Sequence, residues 1–163
     1  MKHLPALRLL VLLFVLSPVA LPPLSVAATD FAPAQLKGFP RDSLQLDGSS
    51  GTTTVQIWLA DTPERQQQGL MFLTELPTGY GMLFPLQQPR VMTMWMKNTY
   101  VSLDMVFIGE DGRVLRIAHD TKPLSEDIIS SGAAVAAVLE LRAGEARRLG
   151  LKEGSRVRHA SLR

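Results

Sequence analysis

The sequence predicts an α+β domain that is mostly β, a curled antiparallel sheet or barrel-like body with one or two short helices. Short runs that alternate polar and apolar residues, as strands do, recur from residue 43 onward. Turn-forming residues separate these runs, and no long helical pattern lies between them. Because a doubly wound parallel sheet needs a helix between successive strands, this succession favours antiparallel pairing.

The first 28 residues have the layout of a secretory signal peptide. Lys2 and Arg8 precede an apolar run over residues 9–16, and small side chains at residues 26–28 fit a signal-peptidase site. The apolar run is shorter than the ~20 residues that span a bilayer, which disfavours an uncleaved membrane anchor. We expect cleavage after residue 28, with the bond after residue 27 as the second choice. The expected product is periplasmic or secreted and has no membrane contact.

Composition narrows the classes of function. Removal of residues 1–28 takes away Lys2 and Arg8 and leaves fifteen basic and fifteen acidic side chains, so the mature chain is formally neutral. We therefore expect no nucleic-acid partner. The chain has no cysteine, which excludes thiol catalysis and cysteine-rich zinc sites. His119 and His159 are forty residues apart, without metal-ligand spacing, and we expect no metal and no cofactor.

One domain is expected after the leader. About 135 residues remain, a usual size for a single core. Residues 29–41 contain prolines and a glycine and show no sustained periodicity, which predicts an irregular N-terminal arm. We assign residues 42–163 to the single domain.

The domain begins with a predicted β-hairpin followed by a short helix. Residues 43–47 and 52–60 alternate polar and apolar side chains on either side of a glycine-serine turn. Next, Thr62 is a suitable helix cap, Pro63 suits the first helical position, and Gly69 marks the helix end.

The remaining elements follow from shorter patterns. Apolar or alternating runs predict strands, and a charged run followed by Gly150 predicts a second short helix at residues 145–149. The predicted strands lie at residues 82–84, 91–96, 103–108, 114–118, 135–141 and 156–159.

A lysine and an aspartate inside apolar, strand-like runs mark the candidate site. If the chain forms an antiparallel hairpin closed through residues 98–102, Lys97 lies directly opposite Asp104 and the two charges pair. Trp95 then shares a face with Lys97, and Asn98 begins the turn. Such a surface suits a sugar or another polar ring. The structural alternative is that the ion pair sets the hairpin register and Trp95 belongs to the core.

Glu140 is a further candidate, because it interrupts the apolar pair Leu139 and Leu141 in a period-two run. In the structural interpretation it faces solvent or accepts an arginine. In the functional interpretation it contributes to the same ligand site.

Six segments form a pattern that covers nearly the whole mature chain: Glu64-Arg65, Gly69-Leu70-Met71, Gly81-Met82-Leu83-Phe84, Trp95-Met96-Lys97-Asn98-Thr99, Leu103-Asp104-Met105-Val106-Phe107-Ile108 and Val138-Leu139-Glu140-Leu141. In order and spacing these segments resemble the DUF192 family of small bacterial and archaeal proteins. The resemblance implies a compact β-rich domain, commonly exported, without an established reaction. Leu73 departs from the pattern, since the family implies a basic residue there.

Two hypotheses of function remain open from the sequence. The leading one is a non-catalytic binding or accessory module of the cell envelope, which recognises a polar small molecule, a glycan or another envelope protein. Its ligand-binding candidates are Trp95, Lys97, Asn98, Asp104 and Glu140. The alternative is a small envelope hydrolase in which Asp104 and Glu140 form a carboxylate pair. That pair requires both carboxyl groups in one open cleft.

Overall fold

Seven strands and two short helices follow one another along residues 31–162, the part of the chain that this computed structural model describes. The predicted signal peptide and its cleavage site lie outside these residues. The elements are β1 (Arg41–Gly48), β2 (Gly51–Leu59), α1 (Pro63–Gln68), β3 (Tyr80–Met94), β4 (Leu103–Ile108), β5 (Val114–Ala118), β6 (Ile129–Arg142), α2 (Glu145–Arg148) and β7 (Arg156–Arg158).

All seven strands belong to one curled sheet in the order β5-β4-β6-β3-β2-β1-β7. Only the β2–β3 pair is parallel. The two outer strands approach each other: Arg113 bridges Arg156, and the backbone N–H of Val157 donates to the oxygen of Gly112 at 2.8 Å. This contact satisfies part of each exposed edge. The mostly β, curled and barrel-like fold is therefore confirmed.

The first hairpin and the first helix form as their residue patterns predict. Strands β1 and β2 pair around a turn whose last residue, Gly51, has a φ of 104° that favours glycine. The hydroxyl of Thr62 accepts a hydrogen bond from the backbone N–H of Arg65 at 3.3 Å, Pro63 is the first helical residue, and Gly69 caps the end.

Strand β3 differs from the prediction because it continues through two prolines. Separate strands were expected at residues 82–84 and 91–96, whereas one strand of 15 residues runs from Tyr80 to Met94. Its pairing with β6 shifts register between Pro85 and Arg90. A bulged region tolerates residues that cannot donate a ladder hydrogen bond, so the prolines do not end the strand.

The sheet is covered on both faces, and its central strands alternate between them. Leu103, Met105 and Phe107 of β4 face one apolar cluster, which also contains Met82, Phe84 and Met96. Val106 and Ile108 face the other cluster, with Leu44 and with Ala146 and Leu149 from the α2 region. All six β4 residues are buried, as expected for a strand between two packed layers.

The lead-in before β1 packs against the sheet. Leu36 and Phe39 are buried, and Phe31 makes edge contacts with Trp58 and Tyr80 at ring distances of 5.9 and 5.5 Å. A short 3-10 turn at Ala34–Leu36 is the only regular element described before β1. Within residues 31–162, no helix has the length and apolarity needed to cross a membrane.

Candidate functional site

The loop that follows β3 carries Trp95, Lys97 and Asn98 but is not a hairpin turn. Strand β6 lies between β3 and β4, so these two sequential strands are not hydrogen-bonded neighbours. The loop is held instead by backbone bonds from Met96 to Ser125 and from Leu124 to Thr99. The predicted hairpin through residues 98–102 is wrong, because residue patterns do not indicate which strand inserts between two others.

The predicted Lys97–Asp104 ion pair is also wrong. The Lys97 ammonium lies 3.7 Å from the carboxylate of Glu126 and 5.4 Å from the centre of the Trp95 ring. Its side chain is 43% exposed. Lys97 and Trp95 therefore do share one surface, as the sequence suggested, but the acid that neutralises the lysine comes from the loop before β6.

Asp104 holds together three parts of the fold. Its side chain is fully buried, and its two oxygens accept hydrogen bonds from the backbone N–H groups of Asp120 and Ala146, each at 3.0 Å. The Nδ1 atom of His119 lies 3.5 Å from the same carboxylate. Asp104 thus fastens β4 to the start of α2 and to the segment after β5, and it does not line the surface that carries Trp95.

A cleft lies between the end of α1 and the loop that carries Trp95. We call it the outer cleft; its volume is about 410 Å³. The Trp95 side chain is exposed at 44%, and Asn98 lies in the same wall. The residues that line the outer cleft are Glu64, Gln67, Gln68, Met71, Phe72, Trp95, Lys97 and Asn98.

A smaller cavity adjoins the outer cleft and reaches the sheet. This inner cavity has a volume of about 80 Å³, and it shares Gln67, Gln68, Met71, Trp95 and Lys97 with the outer cleft. Most of its further lining is apolar or uncharged: Gln66, Gly69, Leu70, Phe84, Met92, Thr93, Met94 and Thr99. The remaining lining residue is Glu140.

Glu140 is a buried acid that has no partner in the described part of the chain. It pairs across the sheet with Met82 on one side and Met105 on the other. The residue is only 4% exposed, and no group within residues 31–162 makes a hydrogen bond or ion pair with its carboxyl. Burial raises the pKa of this carboxyl to about 8. The expectation that Glu140 faces solvent or accepts an arginine is wrong.

The carboxyl of Glu140 keeps access to the inner cavity. Within residues 31–162, every side-chain nitrogen or oxygen that is sealed from solvent has a hydrogen-bond partner. Because Glu140 has no partner among these residues, its oxygens are not sealed, and its residual exposure opens onto the cavity that it lines.

The structure does not bring Asp104 and Glu140 together. Glu140 pairs with Met105, the neighbour of Asp104, and successive strand residues point to opposite faces. By this alternation Asp104 points to the layer of Val106 and Ile108, and Glu140 points to the layer of Met105 and Val138. The predicted carboxylate pair is therefore wrong, since the two groups cannot flank one bond of a substrate. Within residues 31–162, no group of three or more His, Asp or Glu side chains could hold a metal ion.

Two residues at the cleft have unusual backbone geometry. Phe72 and Asn98 have φ values of 65° and 54°, and the N–H of Phe72 donates to the oxygen of Asn98 at 2.8 Å. Asparagine tolerates this conformation, but an aromatic residue rarely adopts it. The tie joins the end of α1 to the Trp95 loop, and Phe72 also makes an edge contact with Tyr100 at 6.3 Å.

Sequence reasoning missed the α1 side of the cleft. Gln67 and Gln68 are the last residues of an ordinary short helix, and Met71 and Phe72 follow it. Only the apolar stretch after Gly69 could have drawn attention to this wall. Leu73, the departure from the family pattern, is 2% exposed and packs in the core beside Leu70. It lines neither the outer cleft nor the inner cavity.

Comparison with known protein families identifies the family of this chain. A family model described as "Uncharacterized ACR", named DUF192, matches residues 44–159, which is most of the chain. This chain belongs to the DUF192 family. The resemblance seen in the sequence is thereby confirmed. The family's description names no reaction, and the comparison with curated proteins found no match.

Two solved structures resemble this DUF192 chain. One is a candidate transcription regulator from Sinorhizobium meliloti, with 42% identity over 76% of this chain and 97% of that chain, and a TM-score of 0.73. The other is a protein of unknown function from Novosphingobium aromaticivorans, with 37% identity over 82% of this chain and 94% of that chain, and a TM-score of 0.75.

The separate positions of Lys97 and Asp104 predict that their substitutions act independently. Asp104→Leu leaves two backbone N–H groups without an acceptor and should lower the free energy of unfolding by about 2 to 5 kcal/mol. Lys97→Met removes one exposed ion pair and should change it by less than about 0.5 kcal/mol. Urea denaturation of both single variants and the double variant should give additive losses. If the double variant were more stable than Asp104→Leu, the result would instead support an ion pair between Lys97 and Asp104.

The buried acid predicts a pH-dependent stability. The pKa of Glu140 is about 8 in the folded protein, against 4.5 ordinarily. Between these values the folded state keeps a proton that the unfolded state has lost, so stability falls as pH rises, by up to about 1.4 kcal/mol per pH unit, and levels off above the folded pKa.

Glu140→Gln is the matched variant, because its amide does not titrate while the histidines stay the same. The free energy of unfolding should be measured for both proteins from pH 5 to pH 9. The variant should gain on the wild type as pH rises. Parallel pH curves would contradict a raised pKa at Glu140.

Proposed function

We propose that this DUF192 chain is an exported, non-catalytic binding module of the cell envelope, and that its outer cleft holds a polar ring such as a sugar of a glycan. The observation that carries the proposal is the exposed indole of Trp95 beside a cleft of about 410 Å³. An aromatic face next to a few polar groups is a common arrangement in ligand sites.

The polar groups around Trp95 support a ligand rich in hydroxyl groups. Lys97 donates hydrogen bonds only, whereas the amides of Asn98, Gln67 and Gln68 both donate and accept. A hydroxyl group also donates and accepts, so it matches an amide-lined wall better than a purely acidic or basic ligand does. Phe72 adds a second exposed aromatic ring to the cleft wall.

The loop geometry supports a preformed cleft. The backbone hydrogen bond from Phe72 to Asn98 joins both walls before a ligand arrives, and the backbone bonds from Met96 to Ser125 and from Leu124 to Thr99 hold the loop that carries Trp95. Strained backbone conformations persist where their surroundings enforce them, and they concentrate at ligand sites. A prearranged wall lowers the entropy cost of binding.

The description of the Sinorhizobium meliloti protein raises DNA binding as a rival function. The helices within residues 31–162 have six and four residues, too short for a recognition helix in the major groove. The mature chain is also formally neutral, so it lacks the net positive charge that binding to nucleic acid needs. DNA is therefore a control ligand in the experiment below.

Export predicts a processed N-terminus. When the full chain is expressed in a Gram-negative host, the soluble periplasmic fraction should contain a protein that begins at Thr29, or at Ala28 as the second choice. Intact-mass analysis and N-terminal sequencing measure this directly. A full-length protein in the cytoplasmic or membrane fraction would contradict the export part of the proposal.

Ligand binding predicts a stabilisation that depends on Trp95. The mature protein is screened by thermal shift against glycan fragments, nucleotides, metal ions and duplex DNA. A glycan fragment should raise its melting temperature. Trp95→Ala should abolish that shift, because it removes the stacking surface. Leu115→Ala is the control, since it truncates an exposed apolar side chain that does not line the cleft.

Three results would oppose the glycan assignment. A shift with DNA alone would favour the regulator function, and a shift with a metal ion alone would indicate a different site. A glycan shift that survives Trp95→Ala would remove the outer cleft as the binding surface. A shift that survives in the Leu115→Ala control but not in Trp95→Ala supports the proposal.

A further inference from the structure

We infer that the inner cavity is a subsite for an uncharged amide group, such as the acetamido group of an N-acetylated sugar, with Glu140 as a carboxylic acid that donates to the amide oxygen. This inference rests on the proposed function and narrows its ligand class. The inner cavity opens from the outer cleft, with which it shares Trp95 and Lys97. A ring lying on the indole can therefore extend a substituent inward.

Glu140 is the group that makes the cavity a site. Its carboxyl is nearly buried, has no hydrogen-bond partner within residues 31–162, and keeps contact with the cavity. An unpaired buried polar group is costly. A ligand that supplies the missing hydrogen-bond partner removes this cost, and its binding is therefore favoured.

Burial keeps Glu140 neutral, and the charge nearest to it disfavours a cationic ligand. Burial raises the pKa of its carboxyl to about 8, and its cross-strand neighbours Met82 and Met105 carry no charge. On the α1 side the lining residues are glutamines, and Glu64 lies only in the outer cleft. Among residues 31–162, Lys97 from the loop after β3 is the only other charged residue that lines the cavity, and it repels a cation.

The remaining walls match the other parts of an amide. The Nε2 atoms of Gln66 and Gln68 donate to the backbone oxygens of Pro85 and Gln35, which leaves their amide oxygens as acceptors for an N–H. Phe84, Met92 and Met94 provide an apolar surface for a methyl group. A secondary amide combines an acceptor, a donor and a methyl group.

The size of the cavity limits what can enter. A volume of about 80 Å³ admits a group of a few non-hydrogen atoms, whereas a whole sugar ring fits only the outer cleft of about 410 Å³. The two spaces thus divide the ligand into a ring and a small substituent. The inner subsite therefore fits a short side group and not a second ring.

The experiment uses small probes that report on the cavity without the ring. N-methylacetamide, acetate and methylammonium are titrated into mature protein labelled at its methionine methyl groups, and the resonances of Met92 and Met94 are followed by NMR. N-methylacetamide should shift them saturably at pH 7. Its apparent affinity should weaken about tenfold by pH 9, as Glu140 loses the proton that it donates.

Two variants of Glu140 separate hydrogen bonding from packing. Glu140→Gln keeps a donor that does not titrate, so binding of N-methylacetamide should persist and lose its pH dependence. Glu140→Leu keeps an apolar group of similar size but has no donor, so binding should be lost. The Gln variant keeps the test decisive if the Leu variant does not fold.

Several results would overturn the inference. Methylammonium that binds more tightly as pH rises would make the cavity a cation site, and acetate that binds while N-methylacetamide does not would make it an anion site. The absence of saturable methyl shifts with N-methylacetamide would remove the subsite altogether.

A matched set of sugars connects the subsite to the outer cleft. N-acetylglucosamine should bind more tightly than glucose and glucosamine, which differ from it only at one ring substituent, and Glu140→Leu should cancel the difference. Equal binding of the three sugars would overturn the inference but leave the outer cleft intact. Methyl shifts with N-methylacetamide but no sugar binding would instead defeat the proposed function alone.

Discussion

Strand β6 lies between β3 and β4, and its hydrogen bonds to both neighbours organise the centre of this molecule. The close approach of β3 depends on Gly81, where a Cβ atom would lie 2.6 Å from the backbone oxygen of Glu140. Apolar layers cover both faces of β4 and of residues 137–141 of β6. Any polar side chain in these buried segments must therefore find a partner or stay uncharged.

The two acids in the centre of the sheet meet this requirement differently. Asp104 accepts two backbone hydrogen bonds, including one from the first turn of α2, and so its burial is compensated by donors that the fold already provides. Glu140 points into the other layer and has no such donor within the described residues, and its pKa rises accordingly. One strand step separates a structural acid from an unsatisfied one, because side chains alternate across the sheet.

The cleft above Glu140 is built from segments distant in the sequence. The end of α1 supplies one wall and the loop after β3 supplies the other, and they are joined through the backbone of Phe72 and Asn98. Both residues take left-handed conformations. Local strain, an exposed indole and a buried unpaired acid thus coincide in one place, although each of them is costly to a fold that needs only stability.

The local elements follow from residue patterns alone. Alternation of polar and apolar residues predicts the hairpin of β1 and β2 and the predominance of strands, and capping residues predict helix α1. Motif spacing indicates the membership in DUF192. These properties depend on neighbours within a few residues. The shared face of Trp95 and Lys97 also follows from their spacing of two residues, whereas the sequence left open whether Trp95 is exposed or belongs to the core.

Residue patterns do not indicate which elements pair and which side chains meet, because these depend on how the whole chain packs. The insertion of β6 between β3 and β4 separated Lys97 from Asp104 and placed Glu140 beneath the cleft. The continuation of β3 through Pro85 depends on a shifted register against β6. The pairing of distant strands depends on the burial of whole strand faces, and the residues of one strand do not specify the strand with which it pairs.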